Sequence, residues 1–221
     1  MTYASTFERS SAGPLSLAEK VMGLTSLLFL LAVAGVGIGW NGANQGVGVS
    51  SHFLLWMIAE FGLLIATMLL ASSPAGLACF AGFGLVTGIT LAPLLHTMTA
   101  LGQGGVIVQA VAATGLITVG LTVYARTTTR DYSGMGGYLF AAVIGLVVAS
   151  LLGFLFHSTV FQMVISVGAT IIFSLFLVYN VQQVTSQPNN QRSAVLLALN
   201  IYLNIFNIFV SLLSILSNEE R

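Results

Sequence analysis

The chain has 221 residues, of which 57% are hydrophobic and only 5% charged, and its mean hydropathy is +0.98. A soluble domain carries about 25% charged residues, so this composition excludes a soluble globular protein and points to an all-α, polytopic membrane protein. Six basic residues balance six acidic ones, leaving no basic surface for nucleic acid, and the lone Cys79 excludes an internal disulfide.

Residues 1–19 are polar and rich in Ser, the composition of a mobile cytoplasmic arm. The apolar run after Lys20 is longer than the core of a secretory signal, so it reads as a first membrane span. Hydropathy predicts seven spans, over residues 21–40, 53–70, 77–95, 106–124, 138–156, 160–181 and 193–217. They form one transmembrane domain, 20–217, with a short tail at 218–221. Between them, Ser72–Gly76 is expected to make a tight turn, 125–134 a charged loop, and 182–192 a polar turn. A six-span alternative would make one segment re-entrant, the last being the candidate because of its asparagines.

Seven spans put the termini on opposite sides. With the N-terminus inside, the inner segments hold Arg9, Lys20, Arg126, Arg130 and Arg192, and the outer ones only Arg221. That bias predicts a cytoplasmic N-terminus. Glycines are dense in the first five spans, and Gly84 and Gly88 have the small-xxx-small spacing that lets helix backbones approach closely.

The last segment, 193–217, contains no charge, yet it is not uniformly apolar. Asn200, Asn204, Asn207, Ser211 and Ser214 recur at intervals of four, three, four and three, which on a helix makes one narrow polar stripe. Amides facing lipid would lack partners, so the stripe is expected to face protein or a wet cavity and the helix to be central. Gln162, Ser166, Thr170 and Ser174 recur every four residues in the sixth span, with Asn180 farther along. The two stripes can either enclose water or hydrogen-bond across the helices.

Glu60 is the only carboxylate well inside a span. A charge at the bilayer centre costs about 2.5–3.5 kcal/mol, so such a group is either functional and proton-sensitive or a neutral acid bonded to a neighbouring helix. His52, His96 and His157 lie near span ends without metal-ligand spacing, and no cofactor motif is present. Enzyme chemistries fail on inventory. Asp131 is the only aspartate, no serine-protease motif sits on a span, and the only lysine, Lys20, is not buried in a span where a retinal could attach.

Four segments carry a resemblance. FNIFVSLLSIL (206–216) is the most specific; FAGFGLVTGITLAPLLHT (80–97), SGMGGYLF (133–140) and IAEFGLLI (58–65) add to it. Over residues 20–217 the chain resembles the Bax inhibitor-1 family, and most closely its bacterial YccA-type branch. The resemblance implies a central seventh helix wrapped by two three-helix layers. Family members are associated with a pH-sensitive calcium leak, in which an aspartate of helix six and one of helix seven share a proton and an arginine late in helix two acts as a latch. Here Asn180 and Asn204 stand at the acid positions, and no arginine follows Glu60 before the end of its span. Asparagine cannot titrate, which argues against a leak by that route. The YccA-type branch implies instead binding to the membrane protease FtsH with HflK and HflC in the bacterial inner membrane, restraining degradation of membrane proteins. Two other readings stand beside it: a cation leak or ion-homeostasis protein with Glu60 as the proton-sensitive group, and an accessory subunit of a larger membrane complex. Membrane lipids are partners in every case.

Overall fold

The structure, a computed structural model, describes residues 15–44, 53–156 and 158–219. Of the expected arm at 1–19, residues 1–14 lie outside them, as do His52, His157 and the last two residues, and residues 17–19 already belong to the first helix. Seven α-helices follow one another: α1 (Leu17–Asn44), α2 (Phe53–Leu70), α3 (Pro74–Ala100), α4 (Gly104–Thr127), α5 (Gly136–Phe156), α6 (Thr159–Ser186) and α7 (Gln191–Glu219). A 3-10 turn, Ser133–Met135, precedes α5, and no strand occurs among the described residues. Six helices are long and apolar enough to cross a membrane, while α2 is a shorter apolar helix.

Local chemistry sets where the helices start. Ser16 and Glu19 form a capping box, in which the Ser16 N–H donates to Glu19 Oε2 (2.7 Å) and the Glu19 N–H donates to Ser16 Oγ (3.3 Å). Ser73 caps α3, accepting from the Gly76 N–H at 3.2 Å, and Pro74 takes the first helical position, where no N–H is needed. Asn190 Oδ1 accepts from the Ser193 N–H (2.8 Å) at the head of α7. Between α3 and α4, Gly102 takes φ +80°, open to glycine without a steric cost.

These caps shorten two expected connections. Pro74 already belongs to α3, so the turn spans only 71–73 rather than 72–76. The polar 182–192 turn shrinks to 187–190, because α6 continues through Ser186 and α7 begins at Gln191. Polar residues therefore did not mark where these helices end. The last segment, the candidate for a re-entrant one, is one unbroken helix of 29 residues with a stretch long and apolar enough to cross a membrane.

α1 and α2 both pack on α3, and α4 and α5 both pack on α6. α7 touches α1, α3, α4 and α6, and no residue from Ser193 to Asn218 is exposed. Within its apolar stretch 44% is buried, against 6% for the stretch containing α5. Among the apolar stretches long enough to span a membrane, that of α7 is the most buried, with α3 next at 39% and the stretch with α5 the least. Tyr202 sits at the centre of one core cluster with Phe80, Phe83 and Leu28, its ring 4.8 Å from that of Phe29. A second cluster gathers Leu95, Met98, Val106, Ala110 and Leu213.

Hydrogen bonds tie four connections together at one end of the bundle. Lys20 Nζ donates to Asn189 Oδ1 (2.8 Å), Gln191 Nε2 to the Ser73 carbonyl (3.1 Å), and Gln182 Nε2 to the Arg130 carbonyl (2.9 Å). The start of α1, the α2–α3 turn, the α4–α5 loop and the α6–α7 loop thus share that end. With them go Lys20, Arg126, Arg130 and Arg192, every basic residue among those described.

Candidate functional site

The polar stripe of α7 is set against α6, and it serves two cavities at opposite ends of that seam. At the basic end, a cavity of about 420 Å³ is lined by Asn180 and Gln183 of α6, Asn200 of α7 and the α6–α7 loop. At the other end, one of about 570 Å³ lies between α5, α6 and α7, where Gln162 and Ser166 face Asn207, Ser211 and Ser214. Asn204 lies one turn from Asn200 and one from Asn207, and lines neither cavity. It is buried at 5% exposure, and its Nδ2 has no hydrogen-bond partner among the described residues.

The other amides answer to their own helices. Asn180 Nδ2 donates to the Phe176 carbonyl (3.0 Å) and Asn207 Nδ2 to the Leu203 carbonyl (2.7 Å). No hydrogen bond joins Asn180 to Asn204. Across the seam, Ser166 Oγ donates to Ser214 Oγ at 3.0 Å. Thr170 does not take part, because its hydroxyl returns to the Ser166 carbonyl (2.9 Å), and half-buried Ser174 makes no side-chain hydrogen bond among the described residues. Four-residue spacing overshoots a 3.6-residue turn by about 40°, so the stripe on α6 drifts off the facing helix. The stripe on α7 alternates four and three and stays on it.

Glu60 belongs elsewhere. Half-buried on α2, its carboxylate accepts at Oε2 from the Thr90 hydroxyl of α3 (2.9 Å). Tyr202, fully buried, has Thr87 and Glu60 as polar neighbours, yet its Oη is unpartnered among the described residues. Thr90 and Tyr202 were not singled out in the sequence. A hydroxyl on α3 or a tyrosine two residues off the stripe carries no local signal of its partner. His96, on α3 toward the end away from the basic cluster, packs edge-on against Trp40 with ring centres 5.0 Å apart.

Outside the helices, Asp131 accepts from the Ser133 N–H (2.8 Å) and hydroxyl (3.0 Å), which hold its carboxyl below the ordinary aspartate range. Among the described residues no group of three or more His, Cys, Asp or Glu is placed to hold a metal. Among the described residues, no carboxylate lines either seam cavity. Chemically, the seam can bind or order water and polar groups, but carries no proton-sharing acid.

The chain is similar to known proteins over most of its length. The family model described as inhibitor of apoptosis-promoting Bax1 matches residues 16–221. An uncharacterised protein of Campylobacter jejuni is 34% identical over 215 residues, 95% of this chain and 92% of its own. An uncharacterised membrane protein of Vibrio cholerae is 34% identical over 178 residues, 79% of this chain and 78% of its own. The modulator of FtsH protease YccA of Escherichia coli is 27% identical over 205 residues, 92% of each chain.

Proposed function

Because the chain belongs to the Bax inhibitor-1 family, we propose that it is a non-enzymatic inner-membrane protein that modulates an FtsH-type protease and so the turnover of membrane proteins. The observation that carries this reading is the α6–α7 seam. Where a proton-gated leak needs titrating acids, the chain has Asn180 and Asn204, and no carboxylate lines either cavity. Binding to a partner needs no such acids. Similarity to the Escherichia coli modulator over 92% of each chain supplies the protease as partner. HflK and HflC, the cytoplasmic N-terminus, the seven-span count and the two three-helix layers are parts of the same proposal. The basic end, from which the residues before α1 leave, is the side on which the protease would be met.

A pull-down of tagged protein from its native membranes in mild detergent tests the reading. Recovery of an FtsH-type protease is the expected result, together with altered turnover of membrane substrates when residues 1–14 are deleted and the Ser16 cap is kept. Recovery of a different stable complex would replace the modulator with an accessory subunit. A second reading, a cation leak with Glu60 as its proton-sensitive group, is favoured by one observation: a half-buried carboxylate held by Thr90 beside the core. Flux in proteoliposomes that depends on pH, and loses that dependence in Glu60→Gln, would carry it; flux equal to empty liposomes would remove it.

A further inference from the structure

A third cavity lies outside the α6–α7 seam. At the basic end, a groove of about 560 Å³ opens between α1, α4, α6 and α7, a volume in the range of about 300–1,000 Å³ usual for ligand pockets. Apolar side chains make most of its wall, among them Val21, Phe29, Val184 and Ile201. α1 and α4 do not pack on one another along their length, which leaves the gap. Arg126, in the last turn of α4, stands exposed on the same groove. Its guanidinium contacts Met22 Sδ of α1 at 3.9 Å, and no carboxylate among the described residues pairs with it. Half-buried Thr122, one turn earlier on α4, adds a hydroxyl to the wall.

We propose that this groove holds one anionic phospholipid of the leaflet at the basic end, with its phosphate on Arg126 and an acyl chain along the apolar wall between α1 and α4. The argument is charge complementarity joined to depth. An arginine fork matches phosphate oxygens two at a time, and a basic pocket between membrane helices favours an anionic headgroup. A soluble anion would leave the apolar wall uncovered. An apolar helix would leave the guanidinium without a counter-charge. A phospholipid lies with its charged end at the interface and its chains below, the same order in which the groove presents Arg126 and then Val21, Phe29 and Ile201. The inference rests on the multi-pass membrane fold and does not depend on the protease reading.

Native mass spectrometry of the full chain, titrated with phosphatidylglycerol or phosphatidylethanolamine in mild detergent, reads the site directly. A single basic contact predicts about fivefold tighter binding of phosphatidylglycerol. Arg126→Gln should remove that preference, weakening phosphatidylglycerol more than phosphatidylethanolamine, whose phosphate shares the contact but whose ammonium offsets its charge. Arg130→Gln, on the neighbouring loop and outside the groove, should change neither. Thr122→Phe, which fills the groove, should weaken both lipids, and it decides the matter if Arg126→Gln does not fold. Undiminished preference in Arg126→Gln, an equal loss in Arg130→Gln, or unchanged binding in Thr122→Phe would each overturn the proposal.

Discussion

Two helix seams in this protein are built on opposite principles. Along α1–α3, backbones meet directly: a Cβ on Gly88 would overlap the Ala32 carbonyl, one on Gly35 the Leu85 carbonyl, and one on Gly39 would come within 2.6 Å of Ala92 Cβ. Along α6–α7, amides and hydroxyls line the contact and a cavity opens at each end. In a membrane, where burial from lipid gives little drive, the first kind of seam gains stability from close van der Waals contact and the second from hydrogen bonds. The first tolerates no added atom. The second leaves a cavity at each end, with room for polar groups to exchange partners.

Gly88→Leu tests the contrast most severely. The overlap is with backbone, which cannot swing aside, and overpacking there should cost about 3 kcal/mol or more. Loss of the monodisperse peak in detergent, or a large drop in denaturant midpoint, is expected. Gly37→Leu is the control on the facing helix, α1, with nothing within 4 Å of the added Cβ, and should stay within about 0.5 kcal/mol. Equal damage from both would mean that α1 does not pack on α3 through this face.

Asn204→Leu comes next, with the opposite sign. Leucine has the same heavy-atom branching and removes the unpartnered Nδ2, so unfolding should become harder by about 1–2 kcal/mol. A drop in stability would instead show that water pairs the amide and that the seam is wet at its middle.

A smaller effect comes from the one bond across the seam. A double-mutant cycle on Ser166→Ala and Ser214→Ala should return a coupling of about 0.6 kcal/mol. No coupling would mean that packing alone holds α6 to α7.

The smallest effect lies at the α4–α5 loop, which is tied to α6 through Gln182. Since Ser133 holds the Asp131 carboxyl below its ordinary range, that contribution is fully present above the unfolded pKa of about 3.9 and is lost as pH falls through the lower folded value. Amide exchange at Ser133 should therefore rise only in strong acid, and at all pH values in Asp131→Ala. Constant protection down to acid pH would remove the bond's role.

Much of this was legible beforehand for a physical reason. Hydropathy over twenty residues, the sign of a loop's charge and the angular spread of a stripe on one helix are properties of a single segment. Hence the membrane class, the burial of the last helix and the gathering of Lys20, Arg126, Arg130 and Arg192 followed from composition and period. The α6 stripe was legible only in part, since a four-residue repeat drifts and Thr170 turned back on its own helix.

The sequence by itself thus determined that the chain is helical and membrane-bound, and that α7 presents its amides along one line. Tertiary structure alone decided the pairings: Glu60 with Thr90, Ser166 with Ser214, Gly88 against Ala32, and Arg126 over an apolar groove with no acid to meet it. Each depends on the rotation and height of one helix relative to another. A residue step turns a helix by about 100° and lifts it by 1.5 Å, so no count along the chain yields those two quantities.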